Sequence, residues 1–218
     1  MRNAIWKVVR LIVGLFLYSL GIAFTVNARL GLAPWDVFHQ GMSNQLGISM
    51  GVAIQIAGAA VLLLGLLLHE RIGWGTIANV YFIGLFLDLI QQFGLVPLFQ
   101  ELLPRILMMP VGMILISFAS YLYLGAELGS GPRDGLMVAL TKLLKFPVGV
   151  IRGAIELIVL IAGYLMGGSV GWGTLIMALG MGIIIQIIFA LLKFDVRQLQ
   201  HHTIDQDIAA MIKKAHSS

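Results

Sequence analysis

"GLAPWDV", residues 31–37, and "GSGPRDG", residues 129–135, share the pattern Gly-x-x-Pro-x-Asp and lie 98 positions apart. Each is a helix breaker carrying a carboxylate, set in an apolar chain. The same offset superposes "IGWGT" (72–76) on "VGWGT" (170–174), and Gly14, Gly51, Gly65 and Gly84 on Gly112, Gly149, Gly163 and Gly182. Residues 11–90 and 109–188 align without a gap at 22 identities in 80 positions. Shared bias toward Leu, Ile and Gly does not produce Gly-Trp-Gly-Thr and Pro-x-Asp at one constant spacing. The chain is an internal duplication.

Composition says where such a chain resides. Of 218 residues, 59% are hydrophobic and 11% charged, with mean hydropathy +0.97; soluble domains carry about 25% charged residues. Uncharged or nearly uncharged runs cover 11–28, 48–68, 76–87, 106–126, 148–166 and 174–192. Several reach the roughly 20 residues that cross a bilayer core as a helix. The chain reads as an all-α polytopic membrane protein. The basic start followed by an apolar run imitates a signal peptide. That run is longer than an h-region and further spans follow, so it is expected to be an uncleaved first helix. The absence of cysteine excludes disulfides and thiolate metal sites. The basic balance, spread over loops and both tails, suits membrane anchors and gives no reason to expect nucleic acid.

Each repeat holds a span, a breaker, a short helix, a second span, and a third span opened by Gly-Trp-Gly-Thr. The short segments 34–46 and 132–144 hold 13 residues, or ~20 Å of helix, too short to cross the core comfortably. They are expected to be re-entrant or interfacial. Three crossings per repeat then invert the second copy relative to the first. With the N-terminus in the cytoplasm, eleven basic residues lie on the cytoplasmic side: Arg2, Lys7, Arg10, Arg71, Arg133, Lys142, Lys145, Lys193, Arg197, Lys213 and Lys214. Arg29 and Arg105 lie outside, and Arg152 falls within a span. This positive-inside bias favours six spans as two inverted three-helix repeats, residues 1–98 and 99–192, with a cytoplasmic tail over 193–218. Full crossing by the short helices would make the copies parallel and carry Lys142 and Lys145 outside, against the bias.

Proline is tolerated at the first helical position, where its missing N–H would be an orphan in any case. Pro34 and Pro132 then start the short helices, with Ala33 and Gly131 as caps. Asp36 and Asp134 stand in the first turn, at the positive end of the helix dipole. A purely local role at a helix start is one reading of both carboxylates. The other is a solute site: inverted-repeat transporters place broken helices at matching positions in both halves, helix ends aimed at the substrate, and irregular backbone at membrane depth lines cavities. Arg133 replaces Trp35 in the second copy; it either binds an anionic group or fixes topology.

Ionisable residues inside spans are functional candidates by default. Asp88 lies about 12 residues into its span, ~18 Å from its start, and its counterpart is Gln186. Arg152 and Glu156 are spaced i, i+4 and can pair along one helix face, either as a self-neutralised structural pair or with Glu156 as a coupling carboxylate. Gln55 and Asn79 suit polar contacts between helices. Trp74 and Trp172 suit interfacial anchors, and Thr76 and Thr174 helix caps. Gly58, Gly65, Gly163 and Gly167 suit close helix packing. Ile204, Ile208, Met211 and Ile212 recur at helical spacing, so a short amphipathic helix is expected in the tail. No nucleophile elbow, phosphate loop or zinc-ligand spacing is present, and neither an enzyme nor a cofactor is expected.

"LGLAPWDVFHQGMSNQLGISMG" (30–51), "LGSGPRDGLMVALTK" (128–142) and "GWGTLIMALGMG" (171–182) resemble the YczE/YyaS/YitT family of bacterial inner-membrane proteins. The likeness runs over about residues 10–192 and suits the short members that lack an additional soluble domain. It implies a bacterial cytoplasmic-membrane location and supplies no catalytic residues. The expected function is secondary transport of a small polar or anionic solute. The site would involve Asp36, Arg133, Asp134, Asp88, Arg152, Glu156 and Gln186, with the bilayer and a small-molecule solute as partners and a homodimer left open. Two alternatives stand beside it: a non-transporting regulatory or scaffold protein acting through its tail, and a solute-binding membrane subunit of an ATP-driven importer.

Overall fold

The computed structural model describes residues 2–195, 199 and 203–205, the side chains of residues 2–4 excepted. The described residues form eight helices and no strand: α1 (Arg2–Ala28), α2 (Pro34–Leu46), α3 (Met50–Leu67), α4 (Trp74–Gln92), α5 (Leu102–Leu124), α6 (Pro132–Leu144), α7 (Val148–Leu165) and α8 (Trp172–Leu191). All but α2 and α6 are long and apolar enough to cross a membrane. In lipid every backbone polar group needs an internal partner, which a helix provides within its own segment. The duplication is visible in the elements themselves. Both ends of α2 and α3 recur 98 residues later as the ends of α6 and α7, and α4 and α8 begin at the same offset.

Lipid tails are as apolar as leucine, so helices in a bilayer associate through close packing and hydrogen bonds. The central pair, α1 and α5, uses both. Lys7 Nζ donates to Glu127 at 2.7 Å, Arg10 Nη1 to the Gly125 carbonyl at 3.0 Å, and Arg105 Nε to the Ala28 carbonyl at 2.9 Å. These pairings run in opposite directions along the chain, so the two helices are antiparallel. Between them, Gly21 and Gly112 meet backbone to backbone; a Cβ on either would stand 2.8 Å from the other's carbonyl oxygen. α4 packs on α1, where Ser19 Oγ donates to the Ile83 carbonyl at 2.9 Å, and α8 packs on α5.

The short helices cross between repeats: α2 packs mainly on α7, and α6 on α3. Gly163 of α7 lies under Phe38 of α2, Asn44 Nδ2 donates to the Gly167 carbonyl at 2.9 Å, and the Ser169 N–H donates to Gln40 Oε1 at 2.7 Å. On the other side Lys142 pairs with Glu70 at 2.7 Å.

The two repeated motifs meet each other across the same divide. The Gly173 N–H donates to the Leu30 carbonyl at 2.8 Å, and the Gly75 N–H to the Leu128 carbonyl at 2.7 Å. Thr76 Oγ1 donates to the Ser130 carbonyl at 2.7 Å. Gly31 and Gly129 adopt φ of +108° and +130°. A Cβ at Gly31 would lie 2.7 Å from Thr174 Oγ1, and one at Gly129 2.6 Å from Thr76 Oγ1. Glycine is required twice over, by dihedral angle and by space.

Several sequence expectations change at this level. Thr76 and Thr174 are not the caps: Gly73 and Gly171 hold that position, and the threonines sit three residues on. Their hydroxyls accept from the Gly73 and Gly171 N–H groups at 3.3 and 3.2 Å, one half of a capping box. Gly58 and Gly163 do allow close packing, but nothing lies within 4 Å of a Cβ at Gly65. Gly167 serves a turn with φ +89°. Pro34 and Pro132 stand at the starts of α2 and α6 as expected, with Ala33 and Gly131 as N-caps. The expected tail helix falls almost wholly outside the described residues.

The repeats differ in one respect. α3 and α4 form a tight hairpin in which Gly51 and Gly84 are buried against each other, and a Cβ on either would overlap the other's carbonyl oxygen. No such packing joins α7 and α8. The counterparts Gly149 and Gly182 are exposed, and a Cβ at either meets nothing within 4 Å. Within their apolar windows α3 and α4 are each 39% buried, α7 and α8 each 11%.

Candidate functional site

A cavity of about 670 Å³ lies among the helices, and all eight contribute to its wall. Its polar side is built by the two breakers. Pro34, Trp35 and Asp36 open α2, and Gly131 to Asp134 open α6. The first turns of both short helices therefore line one space. Neither N-cap supplies a side-chain hydrogen bond, and the positive ends of both helix dipoles lie at the cavity wall.

Arg133 joins the two helices. Its guanidinium carbon lies 4.5 Å from the centre of the Trp35 ring, a cation–π contact, and Nη2 is 3.5 Å from His39 Nε2. His39 is 1% exposed, and its Nδ1 lies 3.5 Å from Asp36 Oδ1, an ion-pair distance without the alignment of a hydrogen bond. Asp36, His39, Trp35 and Arg133 thus form one chain of contacts that begins in the first repeat and ends in the second. Beside it, Tyr123 Oη is 3.5 Å from Asp134 Oδ2, and the Tyr18 and Tyr123 rings meet edge to face at 6.2 Å.

The seven sequence candidates divide. Asp36, Arg133, Asp134, Arg152 and Glu156 all line the cavity. Arg152 Nε donates to Glu156 Oε1 at 3.0 Å, the i, i+4 pair expected from spacing, on a part of α7 open to the cavity. Asp88 and Gln186 do not line it. Asp88 serves the start of α3 instead: its Oδ1 accepts from the Gly51 N–H at 2.9 Å and its Oδ2 from the Ser49 hydroxyl. Ser49 itself caps the Val52 N–H at 3.1 Å. One carboxylate oxygen and one hydroxyl satisfy two first-turn N–H groups, and the second carboxylate oxygen holds that hydroxyl, in a helix with no acid of its own in the first turn. Gln186, the counterpart, is exposed on α8. Gln55 joins α3 to α4 by donating to the Tyr81 carbonyl at 2.9 Å, as its polar contact role predicts, whereas Asn79 faces the cavity.

Sequence reading missed Trp35, His39, Tyr18 and Tyr123. The signal for the first two is present: Trp35 and His39 are spaced i, i+4, and Asp36 and His39 i, i+3, on a helix only 13 residues long. The tyrosines lie on long spans and are not repeated at the 98-residue offset, so no spacing marks them. Among the described residues no group of three His, Asp or Glu side chains is placed to hold a metal ion.

Charge is nearly balanced in this space. Arg133 and Arg152, with two helix N-termini of roughly half a charge each, face Asp36, Asp134 and Glu156. The arrangement offers donors and acceptors to both signs of charge within an apolar wall that includes Ile22, Ile83, Ile116 and Met177. It suits a small solute with polar or charged groups and an organic body.

Comparison with known proteins agrees with the resemblance read from the motifs. A family model described as a family of unknown function, DUF6198, matches residues 5–190. An uncharacterised protein of Haemophilus influenzae is 34% identical over 81% of this chain and 80% of its own length. The uncharacterised membrane protein YczE of Bacillus subtilis is 32% identical over 79% of this chain and 80% of its own, and the uncharacterised protein YyaS of the same organism 25% identical over 83% and 91%. No solved structure matches. With a matching family model over residues 5–190 and an all-helical body of apolar spans, this chain is a membrane protein of the DUF6198 family, related to YczE and YyaS.

Proposed function

We propose that the protein is a secondary transporter of the inverted-repeat type, with the cavity between α2 and α6 as its solute site. One observation carries this reading: two helix N-termini, one from each repeat, line a single space of about 670 Å³ and are linked by Arg133. Discontinuous helices with their N-termini turned to a shared site are the arrangement by which such carriers hold polar and anionic groups. The antiparallel pairing of α1 with α5 supports inversion of the repeats, and so does the exchange of short helices between them. In this reading the N-terminus and the tail are cytoplasmic in a bacterial inner membrane, as the distribution of Lys and Arg favours, and the chain is not an enzyme.

The solute is small, with polar or anionic groups met by Arg133 and the helix N-termini, and hydrogen-bonding groups met by Asp134, Asn79 and Ser120. Asp88 leaves the site in this proposal, since its oxygens are engaged at the start of α3. Glu156 remains the coupling candidate, because it lies on the cavity wall and is 30% exposed.

A thermal-shift screen of the solubilised protein against small acids, amines and vitamins tests the site. A solute at 100 times its dissociation constant stabilises by about 2.7 kcal/mol. The expected result is a stabilising solute whose effect is lost in Arg133→Ala, while that variant keeps its own melting transition. A stabilising solute unaffected by both Arg133→Ala and Asp134→Asn would move the site elsewhere.

A further inference from the structure

Gly51 and Gly84 form the closest seam in the first repeat, yet a Cβ at either counterpart, Gly149 or Gly182, would meet nothing within 4 Å, and Gly182 stands on the cavity wall. Neither glycine is needed there for packing, and at Gly182, in mid-helix, glycine costs about 1 kcal/mol relative to alanine. Gly182 stands in the middle of α8, and Gly149 in the first turn of α7. The neighbouring positions are matched as well. Gly58 packs on Val80 at the α3–α4 seam, with 3.3 Å from a built Cβ to the valine methyls. The corresponding residues, Glu156 and Ala178, are both on the cavity wall, apart from each other's helix. Asp88 reaches across the seam to the Gly51 N–H; its counterpart Gln186 stands exposed on α8 with an amide oxygen of similar reach.

We propose that α7 and α8 are a gate to the cavity and close on the seam that α3 and α4 already form, with Gly149 against Gly182 and the Gln186 side-chain oxygen accepting from the Gly149 N–H. This explains four exposed or unmatched residues by one motion. Two halves with the same helix boundaries can adopt the same local packing, and here one half has it and the other does not. Closure would cover the Arg152–Glu156 pair and shut the cavity wall formed by residues 177–189. The Gln186 contact would give α7 the first-turn acceptor that Pro147, at its N-cap, lacks. The gate gives the transport reading its moving part and rests on it.

The chain has no cysteine, so introduced pairs can be trapped by oxidation in native membranes without background. A Cβ at Gly58 lies 3.6 Å from the Val80 Cβ, inside the roughly 3.5–4.5 Å range of disulfides. Gly58→Cys with Val80→Cys is therefore the reference pair and should oxidise readily. Glu156→Cys with Ala178→Cys is the test pair and should oxidise as closures accumulate. Adding Gly182→Leu should slow the test pair by about tenfold or more, as overpacking a close seam does, and leave the reference pair unchanged. A test pair that stays reduced while the reference pair oxidises fully overturns the gate, as does indifference to Gly182→Leu. Spin labels at Val150 and Ile187, 56% and 52% exposed, repeat the test with Glu156 intact. Two distances are expected, the shorter equal to that of the matching pair Val52 and Leu89 and lost in Gly182→Leu; one unchanging longer distance overturns the gate. Neither measurement needs a solute, so failure here leaves the Arg133 binding result to judge the solute site on its own.

Discussion

Gly31 and Gly129 show why a breaker is written the same way twice. Each takes a dihedral angle that side chains rarely adopt, and each lies against a threonine hydroxyl of the opposite repeat. Gly31→Ala or Gly129→Ala should lower the melting temperature, by the equivalent of about 1–3 kcal/mol for a strained backbone position. Half-buried Gly135, with nothing within 4 Å of a Cβ, is the control, and Gly135→Ala should be neutral or stabilising. At Arg133 charge and shape separate. Arg133→Lys keeps the charge but loses the planar stack on Trp35. Solute affinity should fall in Arg133→Lys and fall further in Arg133→Ala, read as a reduced thermal shift. Gly31, Gly129 and Arg133 were legible in the sequence because they stand in the two breakers that the 98-residue offset aligns. The partners Trp35 and His39 were not, since a contact between a half-helix of one repeat and an arginine of the other depends on how the two are set face to face.

Among the elements, the short helices are the clearest success of sequence reading, since Pro at the first position and a 13-residue length fixed their bounds at 34–46 and 132–144. Their ends differ chemically. α2 stops at Gly47 with φ +64°, whereas α6 stops at the equivalent Lys145 with φ +58°. A left-handed residue with a Cβ costs about 1–2 kcal/mol, so Lys145→Gly should raise stability by up to that amount in thermal unfolding. Asp88 carries the opposite lesson. From sequence, a carboxylate deep in a span is a candidate for coupling; in the structure it accepts from the Gly51 N–H and from the hydroxyl of Ser49, the N-cap of α3. Asp88→Ala should destabilise by about 1–2 kcal/mol, the usual loss of an N-cap acceptor. It should leave the solute-induced shift in place, whereas Arg133→Ala does the reverse. The difference was not legible because the start of α3 and the end of α4 lie 37 residues apart, and only their antiparallel packing joins them.

For the whole molecule, hydropathy and the repeat give six spans and two short helices without ambiguity, because lipid allows little else. What they leave open is the relation between halves. The exchange of α2 and α6 between repeats and the antiparallel α1–α5 pair arise from contacts between residues about 100 positions apart, and the packing of α3 on α4 from residues 26 to 37 positions apart, which no local pattern encodes. Single cysteines placed in the otherwise cysteine-free chain test the proposed orientation. Cysteines at Leu46 and Leu98 should react with an impermeant thiol reagent from one side of the membrane, and those at His69 and Lys145 from the other. Labelling of all four from one side would contradict six spans. The account turns finally on whether a solute passes through the space between the repeats. Uptake of the solute identified by thermal shift, measured in proteoliposomes with wild-type protein and with folded Arg133→Ala, decides it. Saturable uptake by the wild type that is lost in Arg133→Ala is the predicted result; a solute that binds at Arg133 and never crosses would contradict transport and leave a binding subunit in its place.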